Sequence, residues 1–453
     1  MIFNPHTEAD RRAMLDAIGV DSPEELFTAI PRHVRYPALN LPPALTEMEA
    51  AERLTELSSR NLAYRASDCF LGAGSYRHYI PATVGQILSR GEFYTAYTPY
   101  QPEVSQGTLQ VIYEFQSMIA ALFAMDVANA SLYDGATALA EGTLMTVSLP
   151  KKRRRIVLSG TIHPHYRSVV RTYTSGLPVE LVELPVPTSG FVADYEAFRP
   201  YLDDQLACLV VQYPNFFGAI ENIATAGEMA HSVGASLVVS TYPVPLALLT
   251  PPGELGADVV TAEGQSLGVA QSYGGPYLGL LASKQAFVRQ MPGRLAGVTT
   301  DAEGKRGFVL TLQTREQHIR REKATSNICT NQGLMATAAT VYMASLGPEG
   351  FREVARRCYR NAHYLASEVT RLPGFHLALD GSFFNEFVVT TPIPAAEVNQ
   401  RLAEHGILGG LDLASVAPSL DHHLLLCATE LNNRESIDRM VSALEGLVQA
   451  GSG

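Results

Sequence analysis

Cysteine is scarce in this sequence, and its spacing excludes two common uses of the residue. The chain of 453 residues has five cysteines, an odd number, and no two of them are separated by only two residues. A disulfide framework or a zinc site would need closely and regularly spaced cysteines. We therefore expect a cytosolic (cytoplasmic) protein with free thiols at Cys69, Cys208, Cys329, Cys358 and Cys427.

Charged residues and long apolar runs are also sparse. Only 17% of the residues are charged and the net charge is −11, a balance that gives no sign of nucleic-acid binding. The basic run at 151–155 is the one local exception, and such a run is typical of a solvated loop before a strand. No apolar stretch approaches the ~18 residues that span a membrane. With a hydrophobic content of 46%, the composition indicates a soluble, well-packed protein.

The pattern of apolar residues predicts three parts of the chain. Residues 1–66 are predicted to form short helices, the first with Thr7 as its N-cap and Gly19 as its end. Residues 67–340 contain a core helix and then six short β-rich runs that alternate with helical segments, which is typical of parallel βαβ units in one large doubly wound sheet. The pattern of residues 341–453 predicts a smaller C-terminal α+β domain. The predicted fold class is therefore α/β.

Ligands of an open α/β sheet bind beyond the carboxyl ends of its strands, so the residues after each β-rich run matter most. TAEGQSLGVAQSYGGPYLGLLASK (261–284) joins two such runs through a Gly-Gly-Pro turn, as pyridoxal phosphate (PLP) enzymes do around the lysine that holds the cofactor. A PLP site also needs an acid beside the pyridine nitrogen, a ring stacked on the cofactor, and a helix N-terminus for the phosphate. His163 could supply the ring, and SLYDGATALAEG (131–142) predicts a helix start. No acid follows ASLVVS, however, and no lysine follows VVTAEG.

The five lysines of the chain can be considered one by one. Lys151 and Lys152 lie in the basic run before a strand, and Lys284 follows the next strand at the predicted start of a surface helix. Lys305 lies in the polar turn DAEGKRG, and Lys323 lies in or at the end of a charged helix. None of them is placed to offer an amine to a cofactor at the strand ends. The sequence thus argues against a PLP enzyme that works on its own.

Five stretches of the sequence together carry a family resemblance. They are YTPYQPEVSQGTLQVIYEFQSMIAALFAMDVANASLYDGATALAEG (97–142), QYPNFFGAIEN (212–222), PPGELGADVV (251–260), SYGGP (272–276) and SNICTNQ (326–332). They resemble the glycine cleavage system P-protein, glycine dehydrogenase (decarboxylating), in the form of subunit 1, the α chain of the two-subunit bacterial enzyme. The resemblance covers nearly the whole chain, and YTPYQPEVSQG is its most specific motif.

The resemblance implies the PLP-dependent transferase fold type I and the decarboxylation of glycine, with transfer of the aminomethyl group to the lipoyl arm of H-protein. It also implies a related β chain that holds PLP on its lysine, in an α2β2 heterotetramer. By analogy with that β chain, Gln265 stands at the position of the Schiff-base lysine, and Ser240 at that of the aspartate beside the pyridine nitrogen. We therefore expect a subunit that binds no cofactor or metal and has no catalytic residue of its own.

Nine other residues could serve the partner's active site or the subunit interface: Tyr97, Tyr100, Gln101, Glu103, Ser105, Gln106, Asn327, Thr330 and Asn331. The first six lie in a predicted loop. In one interpretation it is a surface loop whose tyrosines pack on the neighbouring helix. In the other, it closes over the partner's PLP–glycine site, binds the glycine carboxylate and excludes water from the carbanion formed on loss of CO2. Thr330 is also the predicted N-cap of the long helix that follows.

Several remaining features have simpler explanations. The lone G-x-G in FLGAGSYRHYIP (70–81) lacks a third glycine and a preceding strand, which favours a turn over a phosphate site, with Arg77 and His78 at an interface. His163 is more simply a hydrogen-bonded histidine at a strand end than a catalytic one. Asp134 and Glu141 flank a helix start, where acids are common, and a carboxylate there would repel a phosphate.

Two alternative functions stay open at this point. One is a complete PLP enzyme that uses an unusual lysine, against which the residues at 265 and 240 argue. The other is a scaffold that only docks the β chain and H-protein and contributes nothing to the chemistry. The polar segment at 97–106 argues against a pure scaffold without excluding it.

Overall fold

The computed structural model describes residues 5–61, 63–149, 153–328 and 330–450, with side chains up to residue 447. Lys151, Lys152 and Cys329 lie outside these residues. The chain divides into two compact units, Met1–Ala63 and Tyr64–Gly453. The proposed further division of the second unit at residue 340 stays a prediction, and a helix spans that position.

The first unit contains two α-helices, α1 (Glu8–Ile18) and α2 (Glu47–Ser59). The predicted caps of α1 are confirmed. Thr7 and Asp10 form a capping box at its start, and Gly19 ends it with a φ of 85°, a left-handed conformation that suits glycine. Because the capping signals are local in sequence, they could be identified before any tertiary contact was known.

The second unit is built on a seven-stranded sheet that confirms the predicted α/β pattern. Its strands are β1 (Val127–Ala128), β2 (Arg155–Leu158), β3 (Glu180–Glu183), β4 (Leu206–Tyr213), β5 (Ser236–Thr241), β6 (Val259–Glu263) and β7 (Gly279–Ser283). Their order in space is β1-β7-β6-β5-β4-β2-β3, with β2 to β6 parallel and β7 antiparallel to both β6 and β1. The central strands are buried on both faces, which explains their almost uninterrupted apolar sequences.

Helices cover the large sheet and continue into the C-terminal part of the chain. They are α3 (Ala82–Leu88), α4 (Gly91–Tyr94), α5 (Gln106–Phe123), α6 (Gly135–Val147), α7 (Pro164–Thr174), α8 (Ile223–Ser232), α9 (Gln317–Arg320), α10 (Gly333–Val369), α11 (Ala395–Glu404) and α12 (Arg434–Ala450). In α10, Gly347 has a φ of 60° and a ψ of 179° just before Pro348, so two helical segments meet there at a kink. None of the helices in the described residues is both long and apolar enough to cross a membrane.

Two smaller sheets complete the second unit. A hairpin of β8 (Leu295–Thr300) and β9 (Arg306–Thr311) was not predicted, although its polar turn at 301–305 was. The C-terminal sheet is antiparallel, in the order β10-β11-β13-β12, and its strands are β10 (His376–Leu377), β11 (Glu386–Thr390), β12 (Leu411–Asp412) and β13 (His423–Cys427). Its apolar residues pack with those of α10, α11 and α12 into a second core, in agreement with the α+β pattern predicted for this region.

Candidate functional site

Parallel strands end at one edge of the large sheet, and the residues at these ends lie around one small space. His163 precedes α7 in the connection that follows β2, Gln212 and Ser240 stand near the ends of β4 and β5, and Gln265 follows β6 by two residues. All four residues line the same space. This is the edge at which an open α/β sheet binds its ligand, so the sequence-predicted positions do come together.

Gln265 is buried and uses its side-chain amide entirely within the chain. Its Oε1 accepts a hydrogen bond from the N–H of Tyr76 at 2.9 Å, and its Nε2 donates to the carbonyl oxygens of Tyr76 at 3.0 Å and Val269 at 2.8 Å. The amide therefore pairs with the backbone of Tyr76 on both sides, much as a neighbouring strand would. Both amide hydrogens are taken, so Gln265 is a fixed structural group.

Ser240 lies in the same space, and no hydrogen bond in the described residues compensates for the burial of its hydroxyl. The residue is only 1% exposed, and no group in the described part of the chain forms a hydrogen bond with its Oγ. A serine hydroxyl carries no negative charge at neutral pH, so it cannot hold a pyridine nitrogen protonated as a carboxylate does. The position that the family resemblance assigns to the acid of a PLP site thus holds a neutral group.

His163 is held as a neutral ring. Its Nδ1 accepts from the N–H of His165 at 3.1 Å, which leaves Nε2 to donate to the carbonyl oxygen of Ala73 at 3.0 Å. The ring stacks on Tyr166 with the centroids 4.7 Å apart. Burial lowers the pKa of His163 to about 4, because desolvation disfavours the charged imidazolium. These contacts fit the simpler interpretation of His163 as a hydrogen-bonded histidine at a strand end.

The N-terminus of α6 is satisfied by carboxylates of the chain itself. Asp134 is the N-cap, and its side chain accepts from the N–H of Thr137. Glu263 accepts from the N–H groups of Gly135 at 2.8 Å, Gln265 at 2.9 Å and Leu278 at 3.0 Å. Burial nevertheless raises the pKa of Glu263 to about 8. Two of the N–H donors at this helix start, where a phosphate would bind, are therefore engaged with acidic side chains: that of Gly135 with Glu263 and that of Thr137 with Asp134.

A short piece of backbone, residues 72–76, fills the space between these groups, and we call it the occluding segment. Its Ala73 binds His163 and its Tyr76 binds Gln265, as described above. The ring of Tyr76 also stacks on Tyr242, just after β5, with the centroids 4.2 Å apart. The space that remains beside Ser240 and Gln265 has a volume of about 20 Å³, roughly that of one water molecule.

These observations test whether PLP fits the strand-end site of this chain, and it does not. Small-molecule sites usually have volumes of about 300–1,000 Å³, far above the space found here. A neighbouring cleft of about 370 Å³ is lined by His163, Glu263 and Asp134, but neither Gln265 nor Ser240 lines it. The cleft therefore does not reach the positions where a lysine and an acid would have to act.

The described lysines lie elsewhere, as the sequence indicated. Lys284 follows β7 and forms a 2.6 Å ion pair with Asp258. Lys305 stands at the turn of the β8–β9 hairpin and pairs with Glu303 at 2.7 Å. Lys323 ends a short 3-10 helix. None of these three amines lines the strand-end space.

The segment at 97–106 is partly a loop and partly the start of α5. Gln106 is the first residue of α5 rather than a loop residue, and its amide bonds the backbone N–H and C=O of Phe308 in β9, both at 2.8 Å. Tyr100 accepts from Arg294 at 2.9 Å, and the guanidinium lies over its ring. Tyr97, in contrast, is 83% exposed. Tyr100 is therefore held by Arg294, which precedes β8, whereas the packing interpretation placed the tyrosines against the neighbouring helix. The exposed Tyr97 can meet another molecule.

The structure brings only some of the remaining predicted residues together. Tyr97, Thr330 and Asn331 line one groove of about 180 Å³. Asn331 also donates to the carbonyl oxygen of Ala130 at 2.9 Å. Gln101, Glu103, Ser105 and Asn327 do not line this groove. The N-cap prediction for Thr330 is wrong, because α10 begins at Gly333 and its N-cap is Gln332, which makes no side-chain capping bond.

The prediction that His78 lies at an interface also differs from the structure. His78 is buried, donates from Nδ1 to the carboxylate of Glu430 at 2.8 Å, and is hydrogen-bonded through Nε2 to the hydroxyl of Tyr242 at 2.5 Å. Arg77 is only partly buried and donates to Gln271 at 3.2 Å. The turn predicted for the G-x-G stretch is present at Ala73 and Gly74, which have positive φ angles of 58° and 96°, and His78 beyond it is buried.

Residues that sequence reasoning missed include Tyr76, Tyr242 and Glu386. Glu386, in β11, accepts from the hydroxyl of Tyr76 at 2.7 Å and from the N–H of Ala73 at 2.6 Å. Some 310 residues separate these partners in sequence, so no local spacing could have revealed the contact.

With the geometry described, comparison with solved structures defines the class of protein. The fold is that of PLP-dependent transferases of fold type I. A sphingosine-1-phosphate lyase from Burkholderia pseudomallei shares it with a TM-score of 0.67 at 18% identity over 93% of this chain and 95% of the lyase. At that identity the likeness concerns the fold alone.

The chain belongs to the glycine cleavage system P-protein family, whose model matches residues 2–444. It is 62% identical to a probable glycine dehydrogenase (decarboxylating) subunit 1 of Thermomicrobium roseum, over 98% of this chain and 99% of that protein. A crystal structure of glycine decarboxylase (P-protein) of the glycine cleavage system, in inhibitor-bound form, is similar with a TM-score of 0.90 and 43% identity, over 99% of this chain and 100% of that one. The family resemblance found in the sequence is confirmed.

Proposed function

We propose that this chain is the subunit of a two-subunit glycine dehydrogenase (decarboxylating) that carries no cofactor. The complex with a PLP-holding β chain decarboxylates glycine, releases CO2 and passes the aminomethyl group to the lipoyl arm of H-protein. The subunit 1 name of the relative from Thermomicrobium roseum supports the existence of a second subunit. An α2β2 assembly and a cytoplasmic location belong to this proposal, and the buried free cysteines fit a reducing compartment.

One observation carries the proposal: the positions that would hold PLP are occupied by groups that cannot do so. Gln265 has both amide hydrogens bonded to backbone oxygens, and Ser240 is a buried neutral hydroxyl. A stand-alone PLP enzyme would need an amine at this edge of the sheet. The three described lysines form ion pairs or lie in a short helix elsewhere, which disfavours that alternative.

The groove beside Tyr97 is the part of this chain that we propose to serve the partner's site. An exposed phenol on a loop can donate a hydrogen bond to a carboxylate and shield it from water. Thr330 in the same groove adds a hydroxyl, and Asn331 is fixed there by its bond to Ala130. Gln106 acts indirectly, because its bonds to Phe308 hold the start of α5 against the hairpin.

Reconstitution tests the proposed function directly. The chain and its β partner are purified separately and mixed, and PLP content and glycine–bicarbonate exchange are measured for each component and for the mixture. We expect PLP in the β chain only, and exchange only in the mixture. Exchange by this chain alone would refute the proposal.

A pair of substitutions separates a shared active site from a pure scaffold. Tyr97→Ala and Tyr97→Phe should leave assembly with the β chain intact and lower the exchange rate of the complex, since Tyr97 is exposed and holds no part of the core. Tyr359→Ala on α10, at a residue 44% exposed and outside the groove, serves as the control. Unchanged exchange in the Tyr97 variants would favour the scaffold.

A further inference from the structure

We propose that the occluding segment is a built-in occupant of the ancestral cofactor position, held there by Gln265. The inference rests on the proposed function, and it goes further: it assigns the loss of PLP binding to the segment as well as to the missing lysine and acid. Restoring those two residues alone will then not restore the cofactor.

The first argument is steric. Gly74 has a φ of 96°, and a Cβ atom built on it would lie 2.8 Å from Cδ2 of His163. Backbone thus lies directly against the ring that we expected to stack on a cofactor. Glycine suits this position, because both the left-handed φ and the close approach to His163 would strain any side chain.

The second argument is that the segment is bonded at both ends and on both sides. Ala73 is bound through its carbonyl to His163 and through its N–H to Glu386. Tyr76 is bound through its backbone to Gln265 and through its hydroxyl to Glu386. His163 and Gln265 lie in the connections that follow β2 and β6 of the large sheet, whereas Glu386 belongs to β11 of the C-terminal sheet. Displacing the segment would break these bonds together and leave buried polar groups without partners.

The third argument comes from the groups around the segment. Glu263 already engages Gly135 at the start of α6, where a phosphate would bind. The Glu263 side chain thus occupies an N–H donor that a phosphate would need, which adds to the lack of space. Gln265 therefore acts as a positioning residue: it fixes the backbone of Tyr76 in the place from which a lysine at 265 would have to expel it.

The test restores the lost chemistry with the occluding segment anchored through the Tyr76 side chain and with that anchor removed. Gln265→Lys with Ser240→Asp is compared with the same pair plus Tyr76→Ala, which removes the stacked ring and its bond to Glu386. PLP that borohydride fixes covalently to lysine is measured by mass spectrometry, in protein shown by circular dichroism and by assembly with the β chain to be folded. We expect no fixed PLP above the wild-type level in the double variant and at least tenfold more in the triple variant.

Equal PLP content in the folded double and triple variants, whether high or absent, would overturn the inference. The outcomes also separate it from the proposed function. PLP fixed by the wild-type chain alone would refute the proposed function, whereas PLP fixed by the double variant and not by the wild type would refute only the occlusion.

A second measurement needs no restored site. Hydrogen exchange at the amide of Tyr76 should be slow in the wild type, unaffected by added PLP, and roughly tenfold faster in Gln265→Leu, as the loss of one buried hydrogen bond implies. Gln271→Leu is the matched control, because Gln271 touches Ser75 and Arg77 only through their side chains. An unprotected Tyr76 amide in the wild type, or equal exchange in the two variants, would overturn the inference.

Discussion

Gln106 offers the sharpest test of how the segment at 97–106 is held in place. Its side chain makes three hydrogen bonds of 2.8 Å, two with the backbone of Phe308 and one with the carbonyl oxygen of Pro102. A typical intramolecular hydrogen bond contributes about 1 kcal/mol net. Since Gln106 is half-buried, water can replace part of this interaction. We expect Gln106→Ala to lower the free energy of unfolding by about 2 kcal/mol.

The measurement is urea denaturation of the isolated chain followed by far-UV circular dichroism, with the slope of the transition compared between variants. Gln110→Ala is the control, because Gln110 lies one turn further along α5 and makes only an exposed bond to Glu114 at 2.8 Å. That variant should change stability by less than about 0.5 kcal/mol. If Gln106→Ala proved as stable as Gln110→Ala, the anchoring role of Gln106 would be wrong.

Three further predictions concern the site and its surroundings. Gly74→Ala should lower the free energy of unfolding by about 2–3 kcal/mol, because of the left-handed backbone and the close approach to His163. Gly85→Ala in α3, with open space around it, is the control and should raise the free energy of unfolding by up to about 1 kcal/mol. Equal effects of the two substitutions in urea denaturation would contradict this prediction. Burial raises the pKa of Glu141 to about 7, above its unfolded value, so its contribution to stability is present below about pH 4.5 and is lost as the pH rises through about 7. Glu141→Gln should therefore have a free energy of unfolding about 2–3 kcal/mol above that of the wild type at pH 8, and little above it at pH 5. A difference that does not change with pH would refute the raised pKa of Glu141. Asp134→Ala should cost about 1 kcal/mol through loss of the N-cap of α6, visible as a lower urea midpoint, and an unchanged midpoint would show that the cap contributes nothing.

The sequence predicted those parts of the fold that depend on local patterns. The runs that became β4, β5 and β6 are apolar and rich in branched residues because both faces of the parallel sheet are covered. Thr7 was recognised as a cap because a capping box spans only four residues. The β8–β9 hairpin was missed, although the turn at 301–305 between two apolar runs was a usable signal.

The site could be predicted only in part, for a physical reason. Gln265 was assigned to the lysine position by counting from Pro276, and Ser240 to the aspartate position by counting from Gly234. The structure places both side chains in one space at the strand ends. The position of the occluding segment in the strand-end space was not predictable, because its partner Glu386 lies more than 300 residues away in the sequence. Thr330 failed as a cap because the helix starts three residues later, at Gly333, and Gln332 before it donates its N–H to the hydroxyl of Ser131.

The occluding segment also has a consequence for how this chain meets changes in cofactor supply. A protein that binds a separate ligand gains stability in proportion to the logarithm of the free ligand concentration. Here the occupant is part of the same polypeptide, so its local concentration never varies and dilution cannot remove it. If the occluding segment fills the cofactor position as we propose, the folded state of this subunit does not depend on the concentration of PLP. Under the proposed function, the subunit would therefore fold completely before its partner has acquired the cofactor.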